Sequence, residues 1–177
     1  MTPRAHLRLY PDPVLQRKAV PVTDVDGKVR TLMKTMANIM YTCQGIGMAA
    51  PQLGVLRRVI VADVGEGLLS LANPEVLSRE GEECLLEGCL SIPGVTVNVR
   101  RETVVVVHGI DAAGRPCERI LTGLAARVVQ HELDHLNGVL ILDHGPPVDL
   151  DPHGGPDQGT LPSDDGMTSS GGDRRNP

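Results

Sequence analysis

The sequence predicts an α+β domain built of mainly antiparallel sheets, with an N-terminal helix, a central second helix and a disordered C-terminal tail. Three observations carry that expectation. Two well-separated segments repeat apolar residues at helical spacing. Six short strand-like segments lie between them without regular β-α alternation. After residue 143 the apolar residues nearly stop. At 177 residues the chain is sized for one core.

Residues 24–43 form the first helix, because Val29, Leu32, Met33, Met36, Met40 and Cys43 fall on one stripe at three-and-four spacing. Residues 57–64 (RRVIVADV) are β-branched and run into the glycine-rich GEG, which reads as a strand and a turn. Further strands are expected around residues 75–77, 82–86, 95–99, 103–108 and 117–121. Asn73-Pro74, Pro93-Gly94 and residues 111–116 (DAAGRP) mark their turns. Thr122 offers an N-cap for the second helix. Leu124, Val128, His131 and His135 then follow at helical spacing until Gly138 supplies the stop. Residues 1–143 are thus expected to fold, and residues 144–177, rich in Gly, Pro, Asp and Ser, to remain disordered for want of apolar surface.

Composition narrows the function. Hydrophobic residues make up 41% and charged residues 22%, ordinary globular values, but Trp and Phe are absent and only Tyr10 and Tyr41 are aromatic. A surface that stacks on bases is therefore not expected. Residues 1–142 hold 15 basic and 15 acidic side chains, so the net charge of −5 lies in the tail and no basic face for nucleic-acid readout stands out. No apolar run approaches the ~20 residues of a membrane span, and Met1 to Tyr10 lack the apolar core of a signal peptide. A cytoplasmic address is expected, with Cys43, Cys84, Cys89 and Cys117 reduced or engaged with a metal.

The chemistry centres on His131-Glu132-Leu133-Asp134-His135. Four residues advance a helix by about 400°, so both imidazoles leave one face a turn apart, as two ligands of one metal must. Glu132 projects about 100° further round, where its carboxylate can take a proton from water at the open side of the ion. For a third ligand, spacing does not exclude His144, but Cys89 in Glu87-Gly88-Cys89-Leu90-Ser91 is the better candidate. It sits between small residues at the end of a strand. Cys84 could complete a closed Cys2His2 zinc with Cys89. An offset of five, however, puts the two thiols on opposite faces of a continuous strand. Residues 45–52 (GIGMAAPQ) let backbone approach a ligand closely, and the Gln52 amide can polarise a carbonyl. These features fit a metal-dependent hydrolase, with an H-E-x-x-H peptidase and a non-catalytic closed-zinc module as the other readings.

Together, GIGMAAPQ at 45–52, EGCLS at 87–91 and HELDH at 131–135 resemble, in order and at compatible separations, the three signatures of the peptide deformylase family. The resemblance spans roughly residues 5–143. It implies removal of the N-formyl group from the formylmethionine of newly made polypeptides, with release of formate. It further implies that Cys89, His131 and His135 are the metal ligands and Glu132 the general base and acid. Gln52 and the Leu90 backbone N–H would stabilise the oxyanion, and Gly47 would give backbone contacts. The donor set suits Fe2+, Zn2+ or Ni2+, and the resemblance puts Fe2+ first. Leu124 and Val128, on the helix before His131, and Ile46 on the facing wall are candidates for a methionine pocket. Arg127 reads as a solvent-facing arginine with its stem packed. Some family members also touch the ribosome transiently through a C-terminal helix, and residues 143–177 lack the apolar stripe that such a helix needs.

Overall fold

Asp26 sets where the first helix begins. Its carboxylate accepts hydrogen bonds from the Lys28 and Val29 amides, both at 2.9 Å. The helix α1 therefore spans Gly27–Thr42 and leaves residues 24–26 outside it. In this computed structural model, which describes residues 7–148, seven strands and a second helix follow. The strands are β1 (Gly47–Ala49), β2 (Val59–Ala62), β3 (Leu69–Glu80), β4 (Glu83–Cys89), β5 (Ile92–Arg101), β6 (Val104–Ile110) and β7 (Pro116–Thr122). The second helix, α2, spans Gly123–Asn137 and stops at Gly138 in the left-handed conformation. Thr122 stands at its N-cap, but its side chain makes no capping bond.

All pairings between these strands are antiparallel: a five-stranded sheet ordered β1-β2-β3-β6-β7, and a separate β4-β5 hairpin. The α+β class is as the sequence predicts. β2 is buried along its whole length because a helix covers each face. Val59 and Val61 pack with Met33, Met36 and Met40 of α1, while Ile60 packs with Val129, Leu133 and Leu136 of α2. Methionines fill the space that aromatic rings leave unclaimed. The hairpin has its own core, in which Val97 and Val99 meet Leu15, Leu140 and Ile141.

Three details differ from the sequence reading. β1 went unseen, because three residues are too few to show a period of two. Asn73-Pro74 is an irregularity inside β3 and not a chain reversal. There Asn73 takes φ 49° and clamps Val22 through two hydrogen bonds, at 2.9 and 2.8 Å. Pro93-Gly94 likewise lies inside β5, where the register against β4 shifts, and the chain reverses at Leu90-Ser91 instead. Both dipeptides are bulge signals, and in β5 Pro93, Gly94 and Val95 are the extra residues, with Gly94 at φ 77°. Of the predicted tail, Pro147 bridges to Val97 and Val148 donates to the Thr96 carbonyl at 2.8 Å. Residues 149–177, with His153 and any ribosome-docking helix, lie outside the described residues. Among the described residues, no helix is long and apolar enough to cross a membrane.

Candidate metal centre

The register shift at the end of β4 and the face of α2 determine what meets here. Because α2 repeats every 3.6 residues, Arg127, His131 and His135 form one row, and that row faces the hairpin. Cys89 ends β4 just before the reversal. The ligand atoms of Cys89, His131 and His135 all lie within 4.8 Å of one another, with Cys89 Sγ 3.2 Å from His135 Nε2. The two imidazoles stand edge to face, ring centroids 5.0 Å apart.

The donor set fits a tetrahedral ion. Sulfur at ~2.3 Å and nitrogen at ~2.1 Å from one centre stand about 3.5 Å apart, near the spacing seen. His131 presents Nδ1 to Glu87 Oε2 at 3.0 Å, which leaves Nε2 free for the ion. Two buried polar atoms, His135 Nδ1 and Glu132 Oε2, find no hydrogen-bond partner among the described residues. Such orphans mark a place where something further is bound. Cys84 is exposed near the far end of β4 and takes no part, so the closed Cys2His2 site is not assembled.

Glu87 was quoted with its motif but given no role by the sequence. Its Oε1 accepts from Arg101 Nε (3.0 Å) and Arg127 Nη1 (2.8 Å), and its Oε2 from Arg101 Nη2 (2.9 Å) and His131 Nδ1. All four lone-pair positions are filled. Burial alone would raise this carboxyl, but the bonds from His131 and Arg101 more than reverse it and hold the pKa at about 2. Burial would also lower His131, whereas its hydrogen bonds to Cys89 and Glu87 push it up to about 10. Burial holds His135 well below its ordinary range.

Arg127 is a correction to the sequence reading. It is buried, and its guanidinium also donates to the Val99 carbonyl at 2.9 Å and the Glu83 carbonyl at 2.8 Å. A charged side chain one turn before His131 looks solvent-facing until the hairpin is folded over it. His144, the other third-ligand candidate, meets Asp134 Oδ2 at 2.8 Å instead of the three donors, and Asp134 in turn pairs with Arg101 at 2.6 Å. Period two could have flagged Glu87, which shares a strand face with Cys89. Nothing local could have flagged Arg101.

Gln52 is buried in the 3-10 turn Ala50–Leu53. Its Oε1 accepts from the Ala49 amide at 2.8 Å. That turns Nε2 towards Ser91 Oγ (3.2 Å) and Cys89 Sγ (3.8 Å). The amide is thus aimed at the cluster of Cys89, His131 and His135. Glu132 lies fully buried beside Gly47, where an added Cβ would overlap Glu132 Oε1 and come within 2.6 Å of Val128 Cγ1. Burial, opposed by the charges of His131 and Arg101, raises the Glu132 carboxyl to about 7. A cavity of about 610 Å3 opens from this cluster, and Ile46, Gly47, Leu90, Leu124, Val128 and Glu132 are among its lining residues. Leu124 and Ile46 are half exposed at its edge, whereas Val128 is buried. A second cavity, of about 620 Å3, lies on the other side of α2 around Leu69, Cys117 and Val129 and touches none of these groups.

Residues 5–150 match the family model described as polypeptide deformylase. The peptide deformylase of Thermoanaerobacter pseudethanolicus is 49% identical over 138 residues, 78% of this chain and 87% of that protein. The crystal structure of peptide deformylase from Thermotoga maritima superposes with TM-score 0.77 at 43% identity, covering 80% and 97% of the two chains. That of the Synechococcus elongatus enzyme in complex with actinonin gives TM-score 0.77 at 42% identity, over 79% and 78%.

Proposed function

The chain belongs to the polypeptide deformylase family and is a metal-dependent hydrolase that removes the N-formyl group from nascent peptides; on that premise we propose how its own residues divide the work. Cys89, His131 and His135 hold one divalent ion. Their convergence within 4.8 Å, with a buried glutamate beside them, is the observation that carries the proposal. A thiolate with two imidazoles is compatible with Fe2+, Zn2+ or Ni2+, and Fe2+ is the ion proposed. Bound there, the cation supplies Lewis acidity, which makes water acidic enough to attack near neutral pH and polarises the formyl carbonyl.

Glu132, buried beside the three donors, takes the proton of the attacking water. As the formyl carbon becomes tetrahedral, negative charge builds on its oxygen. The Gln52 amide, already turned towards the site, and the Leu90 N–H donate to that oxygen. Glu132 then delivers its proton to the departing nitrogen as the C–N bond breaks, giving formate and a free amino terminus. Ile46, Leu124 and Val128 receive the methionine side chain, and the missing side chain of Gly47 lets the peptide backbone come close. Newly made chains are the substrate, which places the enzyme in the cytoplasm, where they emerge.

Formate release from formyl-Met-Ala-Ser and acetyl-Met-Ala-Ser, measured with anaerobically prepared ferrous protein, tests the proposal. The formyl peptide alone should turn over. Glu132→Gln should lower kcat by about 10²- to 10⁴-fold with the ion retained. Cys84→Ser should leave metal content unchanged. Cleavage within the peptide, or full activity in the Glu132 variant, would overturn it.

A further inference from the structure

The hairpin that carries Cys89 must be held at a fixed depth against the helix that carries both histidines. Its apolar face does not do this directly. The core of the hairpin is made with Leu15, Leu140 and Ile141, residues before α1 and after α2, and includes no residue of α2. Contact between α2 and the hairpin is instead polar: Asp134 pairs with Arg101, and the row Arg127, His131, His135 makes the rest. His135 meets Cys89, His131 meets Glu87, and Arg127 meets Glu87 together with the backbone of both strands.

We propose that Arg127 is a positioning residue for the metal ligand His131, acting through Glu87 and through the two strands that its guanidinium ties to α2. Nη1 is shared between Glu87 Oε1 and the β5 carbonyl of Val99, and Nη2 reaches the β4 carbonyl of Glu83. One planar fork thus fixes three points, which a point charge such as lysine cannot reproduce. Glu87 is clamped from one side by Arg101 and from the other by Arg127, which leaves one oxygen lone pair turned to His131 Nδ1. Within this row Arg127 alone offers no metal-ligand atom while holding both strands and Glu87, so its contacts bear on the geometry into which an ion is received. The side chain also borders the substrate cavity. Arg127→Met keeps a stem of similar length while removing the fork, which separates positioning from pocket lining.

The inference rests on Cys89, His131 and His135 holding the ion, and the experiment separates the two ideas. The full-length chain is loaded with Co2+. The thiolate-to-cobalt absorption band and the rate of metal release to excess chelator are recorded, alongside steady-state kinetics. Loss of an outer-shell partner of a metal ligand typically costs about 10- to 100-fold in metal affinity or activity. Arg127→Met is therefore expected to release the ion at least about tenfold faster, to shift the band, and to lower kcat while KM for formyl-Met-Ala-Ser changes less than about twofold. Arg127→Lys should also release the ion faster than the parent, and carries the test if the Met variant does not fold. Val129→Ala, which opens the core on another face of α2, controls for lost stability and should leave release and the band unchanged. Parent-like release and spectrum in the Met and Lys variants, or equal acceleration in Val129→Ala, would overturn the role of Arg127. A parent protein that shows no thiolate band would instead overturn the metal assignment.

Discussion

At the scale of single residues, Gly47 matters for what it lacks. Any Cβ there would collide with Glu132 Oε1 and Val128 Cγ1. Gly47→Ala is therefore expected to push Glu132 off its position and lower kcat/KM by about 100-fold, since a misplacement of ~1 Å costs about that much. Metal content and the unfolding midpoint should stay near the parent's, because β1 pairs through its backbone; a parent-like rate would show that Glu132 tolerates displacement. His131, Glu132 and His135 stood out in the sequence because helical spacing states their geometry, and Cys89 because it lies between small residues at a strand end, in a segment that resembles a family signature. Arg127 and Arg101 did not, because their partners on Glu87 are 40 and 14 residues distant in the chain. Burial of a charge is decided by what folds over it.

At the scale of elements, local chemistry starts α1 at Asp26 and stops α2 at Gly138, but the site depends on how closely the helix ends are packed. Gly138 closes α2 at φ 75°, and an added Cβ would come within 2.5 Å of the Gln16 carbonyl oxygen. Gly138→Ala is expected to cost at least about 1–2 kcal/mol from the left-handed backbone alone, and more from pressing on the segment before α1. Denaturant unfolding followed by circular dichroism measures it; an unchanged midpoint would mean that this junction is loose. The bulge around Pro93-Gly94 is the other decisive local feature. By absorbing extra residues of β5 it lets the chain turn at Leu90-Ser91, which leaves Cys89 beside the histidines and the Leu90 backbone at the edge of the cavity.

Across the whole molecule, the hairpin and the five-stranded sheet meet around buried charge, and that has a consequence in acid. Glu87 is held at about 2 against an ordinary 4.5. A carboxyl with a depressed folded-state pKa stabilises the fold fully above its unfolded value, so the contribution is intact above about pH 4.5. It is lost as pH falls towards 2. The shift amounts to about 3 kcal/mol. Urea unfolding of the metal-free protein between pH 6 and pH 2.5 should show this loss, and Glu87→Gln should flatten the slope; an identical slope in both proteins would place the acid sensitivity elsewhere.

By itself the sequence determined the α+β class, the two helices and most of the strands, and it singled out the four residues proposed to carry the central chemistry. Periodicity and short-range spacing are properties of neighbouring residues, and both can be read without a fold. Only the tertiary structure decided that two turn-like dipeptides are bulges, that β1 exists, and that a glutamate and two arginines gather behind His131. Those outcomes depend on which surfaces come together across the hairpin and α2, and desolvation of a charge is a property of that junction, absent from any local stretch of chain.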